Sequence, residues 1–198
     1  MKAALLSPPP ELEPPPRWAA LLEHFYARSD SPMIALDRLE GDAVPEPYKA
    51  LLVHSRDMTP TLEEFYGQKL VLRPLHRELR ESAYWREVTL NLTDSSKPIE
   101  YGVIRIMLDH FPPRARRMVL DEQRPLGDIL RGEAIAHFGW PQTFFAACSD
   151  ARLGTVLQLP HSSRLYGRRN LLLDGARRIL AEVIEVLAPV ENPPFSPE

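Results

Sequence analysis

The stretch from residue 164 to 189, RLYGRRNLLLDGARRILAEVIEVLAP, constrains this chain more than any other. Two runs rich in Leu, Ile, Val and Ala flank Asp174-Gly175, a turn signal that joins antiparallel strands. Charges interrupt both runs at fixed places, and two of them are Glu182 and Glu185. A carboxylate in the middle of an apolar strand is costly to desolvate, so it is turned to water, paired with a cation, or kept for chemistry. Strand parity separates the two. With a two- or four-residue loop at the turn, Glu182 shares a face with Gly167 and Arg169, and Glu185 shares one with Arg164, Tyr166 and Arg168. Each glutamate has a cation within reach, and spacing alone does not rank them. Gly167 near Glu182 would leave room beside that carboxylate, a hint of a cavity.

The remaining composition suits a globular domain. The chain has 198 residues, 44% of them hydrophobic and 26% charged, enough for one domain with a substantial core. A formal net charge of −3 gives no general attraction to nucleic acid or to an anionic membrane, so neither is an expected partner. The one cysteine, Cys148, permits no intrachain disulfide, and its context Phe144-Phe145-Ala146-Ala147 is that of a small buried hydrophobe. The apolar start of the chain is cut short by Ser7 and three prolines before a signal-peptide core could form, and no apolar run reaches membrane-spanning length. A cytoplasmic protein without membrane insertion is expected.

Along the chain, residues 1–16 read as a proline-rich disordered lead-in, residues 17–190 as a single domain and residues 191–198 as a flexible tail. Trp18, Leu21, Leu22 and Phe25 recur at helical spacing, residues 29–47 read as loop, and 48–54 as a short helix. A helix over 57–66 is predicted with Thr59 as N-cap, Pro60 at the first position and Gly67 as the stop. Strands are predicted over 69–76, 84–92 and 99–107, helices over 115–120 and 125–130, and further strands over 143–148 and 155–159. Strands with inserted helices and no regular βαβ alternation indicate an α+β domain on a largely antiparallel sheet.

Few chemical classes survive inspection. The chain has no Gly-rich phosphate loop, no HExxH, no paired CxxC and no GxSxG, so those classes drop out, and its six dispersed histidines fit ordinary surface or core positions better than a metal site. Arg114, Arg116 and Arg117 fit a solvated helix face better than a nucleic-acid patch. Arg86 differs, because it shares a strand face with Tyr84 and Val88. It either pairs with a carboxylate such as Glu100 across the hairpin or forms the planar fork that holds a substrate carboxylate.

Four separate pieces, in order, resemble the chorismate pyruvate-lyase family: Asp57-Met58-Thr59, Trp85-Arg86-Glu87-Val88, Pro125-Leu126-Gly127, and Gly167-Arg168-Arg169 with Leu180-Ala181-Glu182. The resemblance implies an antiparallel sheet with helices over a buried apolar site, and cofactor-free conversion of chorismate to 4-hydroxybenzoate and pyruvate. It implies that Met58 and Leu126, with Gly127, contact the ligand through main-chain amides and apolar surface. Arg86 would bind the ring carboxylate and Glu182 would face the hydroxyl end, orienting that hydroxyl or assisting proton removal. Glu185 would be structural, paired towards Arg164 or Arg168 and outside the pocket. Glu100 and Tyr101 depart from the family pattern, which points to an altered ligand. The same, UTRA-like, fold serves as a ligand-sensing domain in bacterial transcription regulators, so a non-catalytic protein binding an aromatic or dicarboxylate ligand is the alternative. No helix-turn-helix pattern stands before residue 50, so a stand-alone domain is expected, of open oligomeric state.

Overall fold

A computed structural model describes residues 18–29, 32–160 and 162–190; the expected lead-in and tail lie outside the described residues. Helix α1 (Ala20–Ala27) turns Leu21, Leu22 and Phe25 inward as their spacing requires. A short strand β1 (Leu36–Leu39) and helix α2 (Tyr48–Leu52) follow. Helix α3 (Met58–Tyr66) takes Asp57, not Thr59, as its N-cap: Asp57 has the extended backbone of that position, and Thr59 is buried in the first turn. The helix stops where Gly67 adopts φ 66°, a left-handed conformation open to a residue without Cβ.

The predicted meander is present as β2 (Leu70–Arg80), β3 (Ala83–Leu92) and β4 (Pro98–Met107), followed by α4 (Pro113–Leu120) and α5 (Leu126–Gly132). Then come β5 (His137–Cys148), α6 (Ala151–Leu157) and the hairpin, β6 (Arg164–Asp174) and β7 (Ile179–Leu187). Three local expectations are corrected. The segment expected as a strand over 155–159 lies mostly in α6, because the Asp150 carboxylate accepts the Leu153 N–H at 2.8 Å and caps a helix start that outweighs the β-branched Thr155 and Val156. The segment expected as loop contains β1, which pairs with β5 from Leu36 opposite Ala147 to Leu39 opposite Phe144. Cys148, at the end of β5, is exposed.

The seven strands among the described residues join one antiparallel sheet in the order β1-β5-β6-β7-β4-β3-β2, which makes this an α+β domain. The hairpin turns over residues 175–178, where Asp174 Oδ1 accepts the N–H groups of Ala176 at 2.9 Å and Arg178 at 2.8 Å. No helix among the described residues is long and apolar enough to cross a membrane.

The sheet is covered on both faces. On one, α1 and α6 pack Leu22, Phe25, Leu153 and Leu157 against Tyr101, Val103, Phe145, Ile184 and Val186. On the other, α2 and α3 place Leu52, Met58 and Leu62 over Leu90, Ile99 and Leu187. Beside them, α4 and α5 place Val119, Leu126 and Ile129 over Ile104, Leu172 and Val183. Gly167 opens no cavity: a Cβ there would lie 2.5 Å from Glu185 O and 2.5 Å from the Phe145 ring, so this glycine serves close packing under α1.

Candidate functional site

Between the starts of α3 and α5, on the face away from α1 and α6, lies a cavity of about 70 Å³. Its floor is set by cross-strand register. One rung runs Arg86, Ile104, Val183, Asn170; the next runs Val88, Gly102, Glu185, Arg168; the third runs Leu90, Glu100, Leu187. Asp57, Met58, Thr59, Pro125, Leu126 and Gly127 form its other wall. Met58 and Leu126 each open a helix, where backbone N–H groups lack intrahelical acceptors and the peptide dipoles favour an anion.

Gly127 lets the two helix starts approach, since a Cβ there would meet Asp57 Oδ2 at 3.0 Å. Asp57 accepts hydrogen bonds from Arg131 Nη1 at 2.8 Å and from the His137 ring at 3.1 Å. It thereby ties α3 to α5 and β5. Burial would raise the Asp57 pKa, but His137 and Arg131 outweigh it and hold the carboxyl below its ordinary value; the same hydrogen bond raises His137.

Arg86 stands at one end of the floor with 2% of its surface exposed, and neither its Nε nor its Nη1 has a hydrogen-bond partner among the described residues. The pairing with Glu100 does not form: Arg86 faces Ile104 across the hairpin, while Glu100 faces Leu90. Burial pulls the arginine's pKa down from its ordinary value, opposed by Tyr84 and Glu122, yet a guanidinium remains protonated. Around it the floor is mostly apolar, with Val88, Ile104, Leu172 and Val183.

At the other end, Arg168 is fully buried and donates from Nε to Glu185 Oε2 at 2.6 Å. Its Nη1 donates to the carbonyls of Leu52 at 3.0 Å and His54 at 2.9 Å. His54 is pushed down to about 4, first by burial and then by the Arg168 charge, and so stays neutral. The Glu100 carboxyl folds back over Gly102, its Oε1 3.4 Å from where a Cβ of that glycine would be. Its Oε2 has no partner among the described residues. Burial raises its pKa well above the ordinary value, and the neighbouring Glu185 raises it further, against the pull of Arg168. Both influences favour the protonated carboxyl, which can donate as well as accept a hydrogen bond.

Of the residues named from sequence, Arg86, Met58, Leu126 and Gly127 meet at this cavity. Glu182 does not. It lies under the opposite layer, bound by Arg105 Nη2 at 2.8 Å and Arg169 Nε at 2.7 Å, and Glu185 lines the cavity in its place. The reason is the two-residue period of β7: Val183 and Glu185 face the cavity, so Glu182 and Ile184 face α1 and α6. The expected Glu185–Arg168 pair forms, but inside the site. Glu100 and Asn170, whose Oδ1 has no partner among the described residues, are site residues the sequence reading left unassigned. A charge in the middle of an apolar strand, two positions before a glycine, was the available signal for Glu100.

No protein-family model matches the chain, and no curated protein matches it in sequence. Solved structures do. The effector domain of PhnF from Mycobacterium smegmatis superimposes with a TM-score of 0.52 and 12% identity, covering 66% of this chain and 87% of that one. PhnF from the same organism gives 0.53 and 12% over 84% of this chain and 93% of that one. YydK from Bacillus subtilis, described as a possible transcriptional regulator, gives 0.51 and 9% over 87% and 93%. At such identities the likeness is one of fold, and the fold observed here is the UTRA-like one that this chain shares with the effector domain of PhnF.

Proposed function

We propose that this domain binds a small molecule carrying a carboxylate or similar anionic group, held by Arg86. The observation that carries this reading is a buried guanidinium beside a cavity, its Nε and Nη1 without an acceptor among the described residues. Burying a cation without a partner costs stability, and an anionic ligand is what offsets that cost when bound. The starts of α3 and α5 add amide donors on the same side. The fold shared with an effector domain supports binding without turnover. The test is thermal unfolding with 4-hydroxybenzoate. At one hundred times the dissociation constant a ligand adds about 2.7 kcal/mol, enough to raise Tm by several degrees. A shift in wild type that is lost in Arg86→Leu supports the reading; no shift with 4-hydroxybenzoate, benzoate or chorismate defeats it.

A second reading is conversion of chorismate to 4-hydroxybenzoate and pyruvate, favoured by one observation: a free arginine and a glutamate carboxyl face one mostly apolar cavity. In that case Glu185, not Glu182, is the carboxylate opposite Arg86. Arg168 Nε donates to its Oε2 at 2.6 Å, which fixes the carboxyl in place to orient a hydroxyl or take a proton. Incubation with chorismate decides: product release abolished by Glu185→Gln but not by Glu182→Gln supports turnover, and binding with no pyruvate formed excludes it.

A further inference from the structure

The cavity holds a second buried polar group that the anion-binding reading leaves unused. Glu100 is 4% exposed, sits on the central strand β4, and turns its carboxyl over Gly102 between Val88 on β3 and Glu185 on β7. Every other charged group at this end is engaged. Glu185 holds Arg168, and Arg168 spends its remaining N–H groups on the carbonyls of residues 52–56. Glu100 Oε2 is left without a partner among the described residues. Glu100 and Arg86 lie four residues apart along the β3–β4 ladder, roughly 13 Å between backbones, and both line the cavity. What remains between them suits one small ring with a substituent at each end.

We propose that Glu100 is a specificity-determining residue: it hydrogen-bonds a neutral polar group, a hydroxyl, amine or carbonyl, at the end of the ligand remote from the anion held by Arg86. The inference rests on that anion-binding reading and narrows it to single-anion ligands. A second carboxylate at this end would meet Glu100 beside Glu185, with the neighbouring Arg168 already committed to Glu185. A ligand without a polar group there would leave the Glu100 oxygen buried and unsatisfied. The carboxyl group thus selects by what it gains from a hydroxyl and by what it repels.

Calorimetric titration of the full chain with 4-hydroxybenzoate, benzoate and terephthalate tests this. Wild type is expected to bind 4-hydroxybenzoate at least about tenfold more tightly than benzoate, and terephthalate most weakly. Glu100→Gln keeps the preference for the hydroxyl, since an amide still donates and accepts. Glu100→Leu erases it, so that benzoate binds as well as 4-hydroxybenzoate. If Glu100→Leu fails to fold, Glu100→Asp, which withdraws the carboxyl by one methylene, should cut the preference severalfold. Unchanged ranking in a folded Glu100→Leu or Glu100→Asp protein overturns the role of Glu100 while leaving Arg86 as the anion site. Absence of binding by all three to folded wild type overturns both.

Discussion

The two faces of this sheet treat buried charge in opposite ways. Under α1 and α6, Glu182 is held by Arg105 and Arg169, and Glu87 by Arg152 and by Tyr101, whose hydroxyl lies 2.7 Å away. Each carboxylate there has its cation, and large apolar residues fill the spaces between. Under α3 and α5, Glu185 and Arg168 pair, but Arg86 and Glu100 keep free polar atoms next to a cavity. A paired buried charge serves structure, whereas an unpaired one costs stability and persists where a ligand completes it. The contrast lies in whole side chains rather than single atoms: Arg105 Nε and Arg152 Nε on the first face also lack partners among the described residues, but each of those arginines holds a carboxylate.

Substitutions can break or sharpen that contrast. The largest effect is expected from Arg168→Leu, which strands Glu185 and frees the carbonyls of Leu52 and His54; a loss of about 3–5 kcal/mol in denaturant unfolding would fit a fully buried pair. Arg86→Leu should do the reverse of what burial suggests. It should leave stability equal or higher while ligand affinity falls by about 2–3 kcal/mol, read by calorimetry. A large loss of stability in that variant would make Arg86 scaffold and remove the contrast. Glu182→Gln should cost about 1–2 kcal/mol of stability with no change in affinity. A drop in affinity there would return Glu182 to the site.

The smaller effects depend on pH. Glu100 has a folded pKa raised above its unfolded value, so the folded state holds the extra proton and stability declines as pH rises from the unfolded pKa towards the folded one. Glu100→Gln lacks that decline, so its Tm should exceed wild type increasingly as pH climbs above 4.5 towards the folded value. His137 is also raised, by its hydrogen bond to Asp57, so its contribution is full below pH 6.5 and lost as pH rises through the folded value. His137→Ala should therefore be destabilised by up to about 1 kcal/mol at pH 5.5 and match wild type more closely at pH 8, checked by urea unfolding at both.

Much of the fold was legible because its signals are local. Helical spacing located α1, the Asp57-to-Gly67 signals located α3, and alternation located the β2–β4 meander and the β6–β7 hairpin. Strand β1 was hidden because four residues, Leu-Asp-Arg-Leu, are too few to show a period among flanking breakers. Helix α6 was misread because the β-branched pair Thr155-Val156 drew attention from Asp150, the residue that caps it. In the site, Arg86, Met58, Leu126 and Gly127 were found through resemblance. Parity correctly put Glu182 with Arg169 and Glu185 with Arg168, but no local pattern says which face of β7 meets Arg86. That depends on how β7 registers against β4, where Gly102 lies opposite Glu185, a pairing between segments far apart in the chain.

The adjacent arginines of β6 carry one more consequence, for how the hairpin finds its alignment. Arg168 points to one side and reaches Glu185; Arg169 points to the other and reaches Glu182. If β7 slid by a single residue, both glutamates would change sides at once, leaving the buried Arg168 and the half-buried Arg169 behind and entering the wrong layer. Misaligned hairpins are thus penalised twice, on both surfaces and by the same step. Apolar alternation alone would penalise the slip weakly here, because β7 is buried on both faces and its leucines, valines and isoleucines suit either side. The pair of opposed salt bridges acts as a proofreading device, and the strand that holds the candidate site's floor is aligned before any ligand arrives.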